Sequence, residues 1–391
     1  MKILFWASVA VLAYTYIGYP VLLVASTRLK RRAVATHDVV NLPCVSVIIA
    51  ARNEAGTIRH KIDHTLALTY ADDRLEIVVA SDASDDGTDT IVEEYAPQGV
   101  RLVRAPERRG KEYVQGLAIA AARGDILVFT DAAAMLEPDA LYRLVRKFTD
   151  PTVGAVSTED RLVDIEGNPT GEGLYVRYEM WVRRLESDFH SLVGLSGSCF
   201  AIRTALCADW SPMLASDFLR ALYAARRGYR TVADSSVRAT FVAVTSGSAE
   251  MRRKVRTFLR GIRVFMANLD LLNPIRHGRF ALALASHKLL RFAAPFVLLV
   301  LLVASAVGAG GDRIATSALV MQAAFYGLAA AGAARPSLQR HRILRVAYYF
   351  TMAQCAMALA WVRYGLGHQQ VTWEPSQRQR VVAGDAAATP R

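Results

Sequence analysis

Long uncharged stretches bracket a region of ordinary globular patterning. Four runs carry no Asp, Glu, Lys or Arg: Ile3 to Thr27 (25 residues), Phe292 to Gly311 (20), Ile314 to Ala334 (21) and Val346 to Val362 (17). A bilayer core of about 30 Å needs roughly 20 helical residues. The first three runs meet that length, with buried core helices as the alternative. The fourth reads as a span, a re-entrant or interfacial segment, or a core helix. The first run does not suit a signal peptide: it is long for one and is followed by Arg28, Lys30, Arg31 and Arg32, not by a small-residue cleavage site.

Between the first and second runs, residues 28–291 alternate strand and helix patterns. Val45–Ala51, Glu76–Ser81, Val100–Arg104, Ile126–Thr130 and Val153–Ser157 read as strands. Ile58, Ile62 and Leu66 recur at helical spacing, Thr90–Tyr95 and Lys111–Ala122 read as helices, and Pro138 opens a helix through Phe148. Such alternation predicts an α/β domain with a mostly parallel sheet covered by helices. Ligands in such sheets bind beyond the carboxyl ends of the strands.

Composition rules out a disordered chain and is too apolar for an ordinary soluble one: 53% of residues are hydrophobic and 21% charged, with mean hydropathy +0.21. The net charge of +12 admits nucleic acid, anionic lipid or a phosphorylated substrate. The basic residues cluster beside the apolar runs with no interleaved aromatic platform, which speaks against nucleic acid. Cys44, Cys199, Cys207 and Cys355 form no CxxC and no ligand spacing with His, so neither a disulfide scaffold nor a zinc site is expected.

The chemistry gathers at the strand ends. Arg52-Asn53-Glu54 follows the first strand, Asp82-Ala83-Ser84-Asp85-Asp86-Gly87-Thr88 the second, Arg108-Arg109-Gly110-Lys111 the third and Asp131 the fourth. Carboxylates can accept from base and ribose donors, while a lysine and a metal meet phosphates. The SDASDDGT segment reads equally as an Asx-rich turn capping a helix. Neither GxGxxG nor GxxxxGK[ST] is present.

VSVIIAARNE, IVVASDASDDGT, RRGK and GDILVFTDA, in that order, resemble a family 2 glycosyltransferase of the GT-A, Rossmann-like fold. YEMWVRRLES, GLSGSCFAIR, LASDF and RRKVRT further resemble its membrane-embedded synthases of cellulose, chitin, hyaluronan and poly-N-acetylglucosamine. The resemblance implies a UDP-sugar donor and Mg or Mn on its diphosphate. Glu54 and Asp82 would hold the uridine, Lys111 would sit near the base or diphosphate, and Asp131 would hold the metal as the first acid of DxD. Asp217 in LASDF would be the general base, and Arg253 and Arg256 would lie near the diphosphate and acceptor end. With one base and no matching nucleophile, transfer would invert the anomeric carbon.

Three elements depart from the family pattern. Ala133 replaces the second acid of DxD, which leaves Glu159 or Asp160 as helpers for the metal. Ser216 precedes Asp217 where many relatives have an acid. The QxxRW element reads Arg253-Lys254-Val255-Arg256-Thr257, without Gln or Trp. The acceptor is therefore a growing exopolysaccharide or, in a non-processive alternative, a lipid that receives one sugar; an inactive scaffold of an export complex is the rival from another class.

In 250–266, Val255, Phe258, Leu259, Ile262 and Met266 share one helical face and Arg252, Arg253, Arg256, Arg260 and Arg263 another. This reads as an amphipathic helix on anionic lipid, or as a packed surface helix. Tyr178 and Trp181 either stack on sugar or fill core. His287-Lys288 suits an interfacial anchor, and Gly194 and Gly197 suit close backbone approach to the acceptor. Glu179, in the YE pair, is the fallback base.

The expected organisation is a transmembrane helix at 1–27, a cytosolic glycosyltransferase domain at 28–249, basic interfacial helices at 250–291, transmembrane helices at 292–365 and a tail at 366–391. The acceptor, anionic lipids and other exopolysaccharide assembly proteins are the expected partners. Arg28 to Arg32 places the domain on the cytoplasmic side of an inner membrane, and the loop bearing Arg335, Arg340, Arg342 and Arg345 agrees; Arg363, Arg378 and Arg380 do not fit a tail outside. A reporter fused after Arg32 should behave as cytoplasmic in a protease-protection assay; its export would overturn this topology.

Overall fold

The computed structural model describes residues 1–29, 41–164, 173–242 and 247–369. Lys30, Arg31, Arg32, Arg378 and Arg380 therefore lie outside the described residues. The chain divides into two compact units, Thr27–Val244 and an assembly of Met1–Ser26 with Thr245–Gln369.

The first unit is built on a sheet of seven described strands: β1 (Val45–Ala51), β2 (Leu75–Ser81), β3 (Val100–Arg104), β4 (Ile126–Asp131), β5 (Val153–Val163), β6 (Cys199–Arg203) and β7 (Arg230–Val242). Their order is β3-β2-β1-β4-β6-β5-β7. β1 runs parallel to β2 and β4, and β2 parallel to β3. β6 is antiparallel to both β4 and β5. Every residue of β1 is buried, which is why VSVIIAA shows no polar alternation: helices cover both faces.

On one face, Val47, Ile49 and Val128 pack with Ile58, Ile62, Leu141 and Leu144 of the helices Ile58–Leu66 and Ala140–Arg146. On the other, Ile48, Leu127 and Phe129 pack with Val114, Ala118, Ala221 and Ala224 of the helices Lys111–Ala121 and Ser216–Arg226. Phe129 stacks between Phe200 and Trp210, with ring centroids 4.9 and 5.1 Å away. Each such aliphatic or aromatic side chain contributes about 1.5–3 kcal/mol on burial.

β1 and β3 occupy their expected residues, and β2 and β4 each gain one residue. β5 runs on to Val163, beyond its apolar start, because it pairs with β7 as far as Val242. β6 and β7 were not anticipated as strands; their partners are distant in sequence. The helix expected from Pro138 begins at Ala140, and the Pro138 carbonyl instead accepts from Thr69 N at 2.7 Å.

Among the described residues, four helices are long and apolar enough to cross a membrane: Lys2–Leu29, Pro274–Gly308, Arg313–Ala334 and Arg342–Gly365. The fourth, short as an uncharged run, becomes a 24-residue helix because Arg342, Arg345 and Arg363 extend its ends. The second starts well before Phe292, with Gly278 breaking the helical backbone at φ +49°. Polar side chains among these helices bond to one another: Tyr14 Oη with Ser286 Oγ (2.9 Å), Gln354 Nε2 to Tyr16 Oη (3.0 Å) and Gln322 Nε2 to Ser305 Oγ (3.0 Å). Hydrocarbon offers no other partner for such groups. His287, expected as an interfacial anchor, is buried.

The helix Gly247–Met266 turns its apolar positions toward protein. Val255, Leu259, Ile262 and Phe265 are buried, the helix packs against Arg342–Gly365, and Phe265 meets Phe292 edge-on at 5.6 Å. Its apolar face covers protein.

Gly124, just before β4, lies against β1. A Cβ there would sit 2.5 Å from Ser46 N and 2.9 Å from the Val45 carbonyl carbon. Neither backbone atom can yield without shifting the strand. Gly124→Ala should lower stability by about 1–3 kcal/mol, read as a reduced urea midpoint of the detergent-solubilised protein.

Candidate active site

Parallel pairing brings the carboxyl ends of β1, β2 and β4 to one edge, with Ala51 beside Ser81 and Ala50 beside Asp131. Arg52, at the end of β1, is buried and donates to the Ala83 carbonyl and, at 2.9 Å, to Asp85 Oδ2. Asn53 and Ala83 both adopt the left-handed region, at φ +52° and +54°. For Ala83 this is strained, and the Arg52 guanidinium holds the segment in place. Asp86 Oδ1 accepts from Thr88 N at 3.0 Å. The turn-capping reading of SDASDDGT thus describes what Asp86 does.

Asp82, expected with Glu54 to hold the uridine, lies at the end of β2. It is fully buried, and its carboxylate accepts from Arg109 N (2.8 Å) and Gly110 N (3.0 Å). In this geometry Asp82 shapes the site by fixing the turn that launches the helix Lys111–Ala121. Glu54 is half-buried; its carboxylate accepts from Thr57 Oγ1, and its backbone N–H donates to Thr88 Oγ1 at 2.8 Å.

Lys111, first residue of that helix, reaches Asp131 Oδ1 at 2.5 Å and the Gly197 carbonyl at 3.2 Å. Burial pulls on the ammonium, but the Asp131 carboxylate, with help from Glu112 and Asp217, outweighs it and raises the lysine above its ordinary pKa. Beneath the Asp131 turn lies a second lysine, Lys61, which is fully buried. Desolvation lowers it to about 8.

β6 brings the remaining pieces. Being antiparallel to β4, it starts where β4 ends, so the loop before it joins the same edge. Ser198 O accepts from Asp131 N at 2.9 Å. Ser196 and Ser198 hydroxyls both donate to Asp160 Oδ1, and Arg183 ties Ser157 Oγ to the Gly194 carbonyl. A Cβ on Gly197 would lie 3.0 Å from Asp217 Oδ2, so glycine leaves room for that carboxylate.

Asp217 stands in the first turn of Ser216–Arg226, with Oδ1 accepting from Phe218 N at 2.8 Å. Ser216 is buried and donates to Gln115 Oε1 at 3.1 Å. That bond joins the Asp217 helix to the Lys111 helix.

Lys111, Asp131 and Asp217 thus converge around Gly197, with Asp82 and Glu54 supporting the neighbouring strand ends. Arg253 and Arg256 belong to the other unit. There Arg253 grips Glu250 through two bonds of 2.8 and 2.7 Å. Burial alone would raise Glu250, yet Arg253 and Lys254 hold it down to about 2. Tyr178 and Trp181 lie with ring centroids 6.2 Å apart, and Trp181 is partly exposed.

Lys61 and Arg183 escaped the sequence reading. Lys61 sits at a core position of its helix, beside Ile58, Ile62 and Thr65. A lysine on an otherwise apolar stripe was the available signal. Among the described residues no three His, Cys, Asp or Glu side chains cluster as a metal cage. Asp131 nonetheless fits a divalent ion that draws its other ligands from a diphosphate and water. Its side chain is about one-third exposed and stands beside a cation suited to phosphate.

Residues 46–210 match the family model described as Glycosyl transferase family 2. These residues are thus similar to a family 2 glycosyltransferase domain. Among curated relatives, a beta-monoglucosyldiacylglycerol synthase of Synechocystis is 31% identical over 186 residues, 45% of this chain and 39% of that protein. A poly-beta-1,6-N-acetyl-D-glucosamine synthase of Staphylococcus aureus is 29% identical over 127 residues, 32% of this chain and 30% of that one. The chain thus spans well under half the length of these relatives. A mannosyltransferase of Pyrobaculum calidifontis, solved with GDP-Man and Mn2+, is 27% identical with a TM-score of 0.72, over 94% of this chain and 100% of that one. The glycosyltransferase domain has the GT-A fold.

Asp217→Asn separates a base from a helix cap. Asn preserves size and can still accept from Phe218 N, but it cannot take a proton. Sugar transfer should fall about 10²–10⁴-fold, with stability and donor binding nearly unchanged. Transfer at the parental rate would remove Asp217 as base and turn attention to Glu179.

Proposed function

We propose that this chain is a membrane glycosyltransferase that moves one sugar, with inversion, from a nucleotide-sugar donor to a polysaccharide or lipid acceptor. The observation that carries the reading is the convergence of Lys111, Asp131 and Asp217 around Gly197 in a glycosyltransferase family 2 domain. The likeness to the two synthases supports these acceptor classes. The four apolar helices support a multi-pass protein of the inner membrane, with the domain on the cytoplasmic face, where nucleotide sugars are made.

The donor is a UDP-sugar in this reading, its nucleoside against the ends of β1 and β2 near Glu54. The likeness to the GDP-Man-bound mannosyltransferase favours a second donor, GDP-mannose. Lys111 places its ammonium against the diphosphate, opposing the charge that develops as the sugar bond breaks. Asp217 accepts the proton of the acceptor hydroxyl as that oxygen attacks the anomeric carbon. Held by Asp131, a Mg or Mn ion would neutralise diphosphate charge. Gly197, lacking a side chain, lets the acceptor approach the Asp217 carboxylate.

Purified protein in detergent, given UDP-sugars and GDP-mannose with Mg or Mn, should release nucleoside diphosphate from one donor. EDTA should abolish that release, and so should Asp131→Ala. Full activity in EDTA would remove the metal from the mechanism; no release from any donor would overturn the assignment.

A further inference from the structure

With Ala at position 133, Asp131 is the one DxD acid left to hold a metal, so its aim depends on what fixes the turn Asp131–Ala134. From the outside, Lys111 holds its carboxylate. From the inside, Lys61 Nζ donates to Thr130 Oγ1 at 3.1 Å and to the Ala134 carbonyl, spanning both ends of the turn. Thr130 Oγ1 passes the constraint on by donating to the Asp131 carbonyl at 3.3 Å. The turn closes on itself through Ala134 N to Asp131 O at 3.1 Å.

Burying an ammonium is costly unless its donors are satisfied and a counter-charge is near. A methionine would fill the same volume without that cost. Packing therefore does not account for a lysine here, whereas tying down a metal-bearing turn does.

We infer that Lys61 is a positioning residue for the diphosphate-bound metal: it clamps the Asp131–Ala134 turn from within, so that the lone carboxylate is presented to the ion. This rests on the metal-dependent transfer proposed above. Groups that orient a metal ligand from behind are worth about 10–100-fold in metal affinity.

The test is Mn2+ binding followed by electron paramagnetic resonance on the full chain in detergent, with saturating UDP or GDP. Lys61→Met should weaken Mn2+ binding about 10-fold or more while leaving metal-free nucleotide binding unchanged, because Lys111 is intact. Thr130→Val suits the strand and removes one of the two oxygens Lys61 holds; it should weaken Mn2+ a few-fold with an unaltered melting temperature. A purely structural lysine predicts the reverse, a lower melting temperature with parental Mn2+ affinity in the folded protein, and that result overturns the inference. Should Lys61→Met fail to fold, parental Mn2+ affinity in Thr130→Val overturns it alone. If the parent binds no Mn2+ with either diphosphate, the metal reading itself falls and this inference falls with it. If the parent binds and the variants match it, only Lys61 is at fault.

Discussion

The parallel pairing of β1 with β2 and β4 is the constraint on which the rest depends. Parallel strands end on the same side, so residues some 30 and 50 positions apart meet along one edge: Arg52, Asp82 and Asp131 follow strands in direct register. Such a sheet is stable only when both faces are covered, and the buried aliphatic residues of β1 and β4 provide that drive. The edge itself cannot be packed in the same way. It is where polar backbone, left-handed residues and charges collect, and Arg52 and Asp82 spend their hydrogen bonds holding it in shape.

One reversal within the sheet completes the site. A fully parallel sheet would have sent the β6 entry loop to the opposite edge. Antiparallel β6 instead delivers Ser196, Gly197 and Ser198 beside Asp131, where Ser198 O meets Asp131 N. Asp160 anchors the serines, and Gly197 then stands between the Lys111 ammonium and the Asp217 carboxylate. Asp131 has lysines on two sides, one reaching its carboxylate and one beneath its turn.

The membrane-compatible unit follows a different logic. Its helices are long and apolar enough to cross a membrane, and Ile3, Trp6, Val320 and Met321 are exposed on them. Specific contacts fall to the few polar groups and to the helix Gly247–Met266, whose apolar face is spent on its neighbours. Arg253 closes on Glu250 within its own helix for the same reason: a half-buried guanidinium takes the nearest carboxylate.

Much of this was legible in the chain itself. Hydrophobic period located the strands β1 to β5 and the helices between them, because burial on two faces leaves continuous apolar runs and helical burial leaves a 3.6-residue stripe. Uncharged length located the four apolar helices, and the ordered motifs located Lys111, Asp131 and Asp217. The sequence could not say which face of the 247–266 helix meets protein, since lipid and a packed helix select the same residues. Nor could it show that Asp82 turns inward to two backbone N–H groups or that Lys61 is a clamp and not a surface charge. Those outcomes depend on which distant backbone atoms arrive nearby, and only the folded chain decides that. The antiparallel insertion of β6 belongs with them: strand direction leaves no trace in composition, yet it determines which loop reaches the acid at the end of β4.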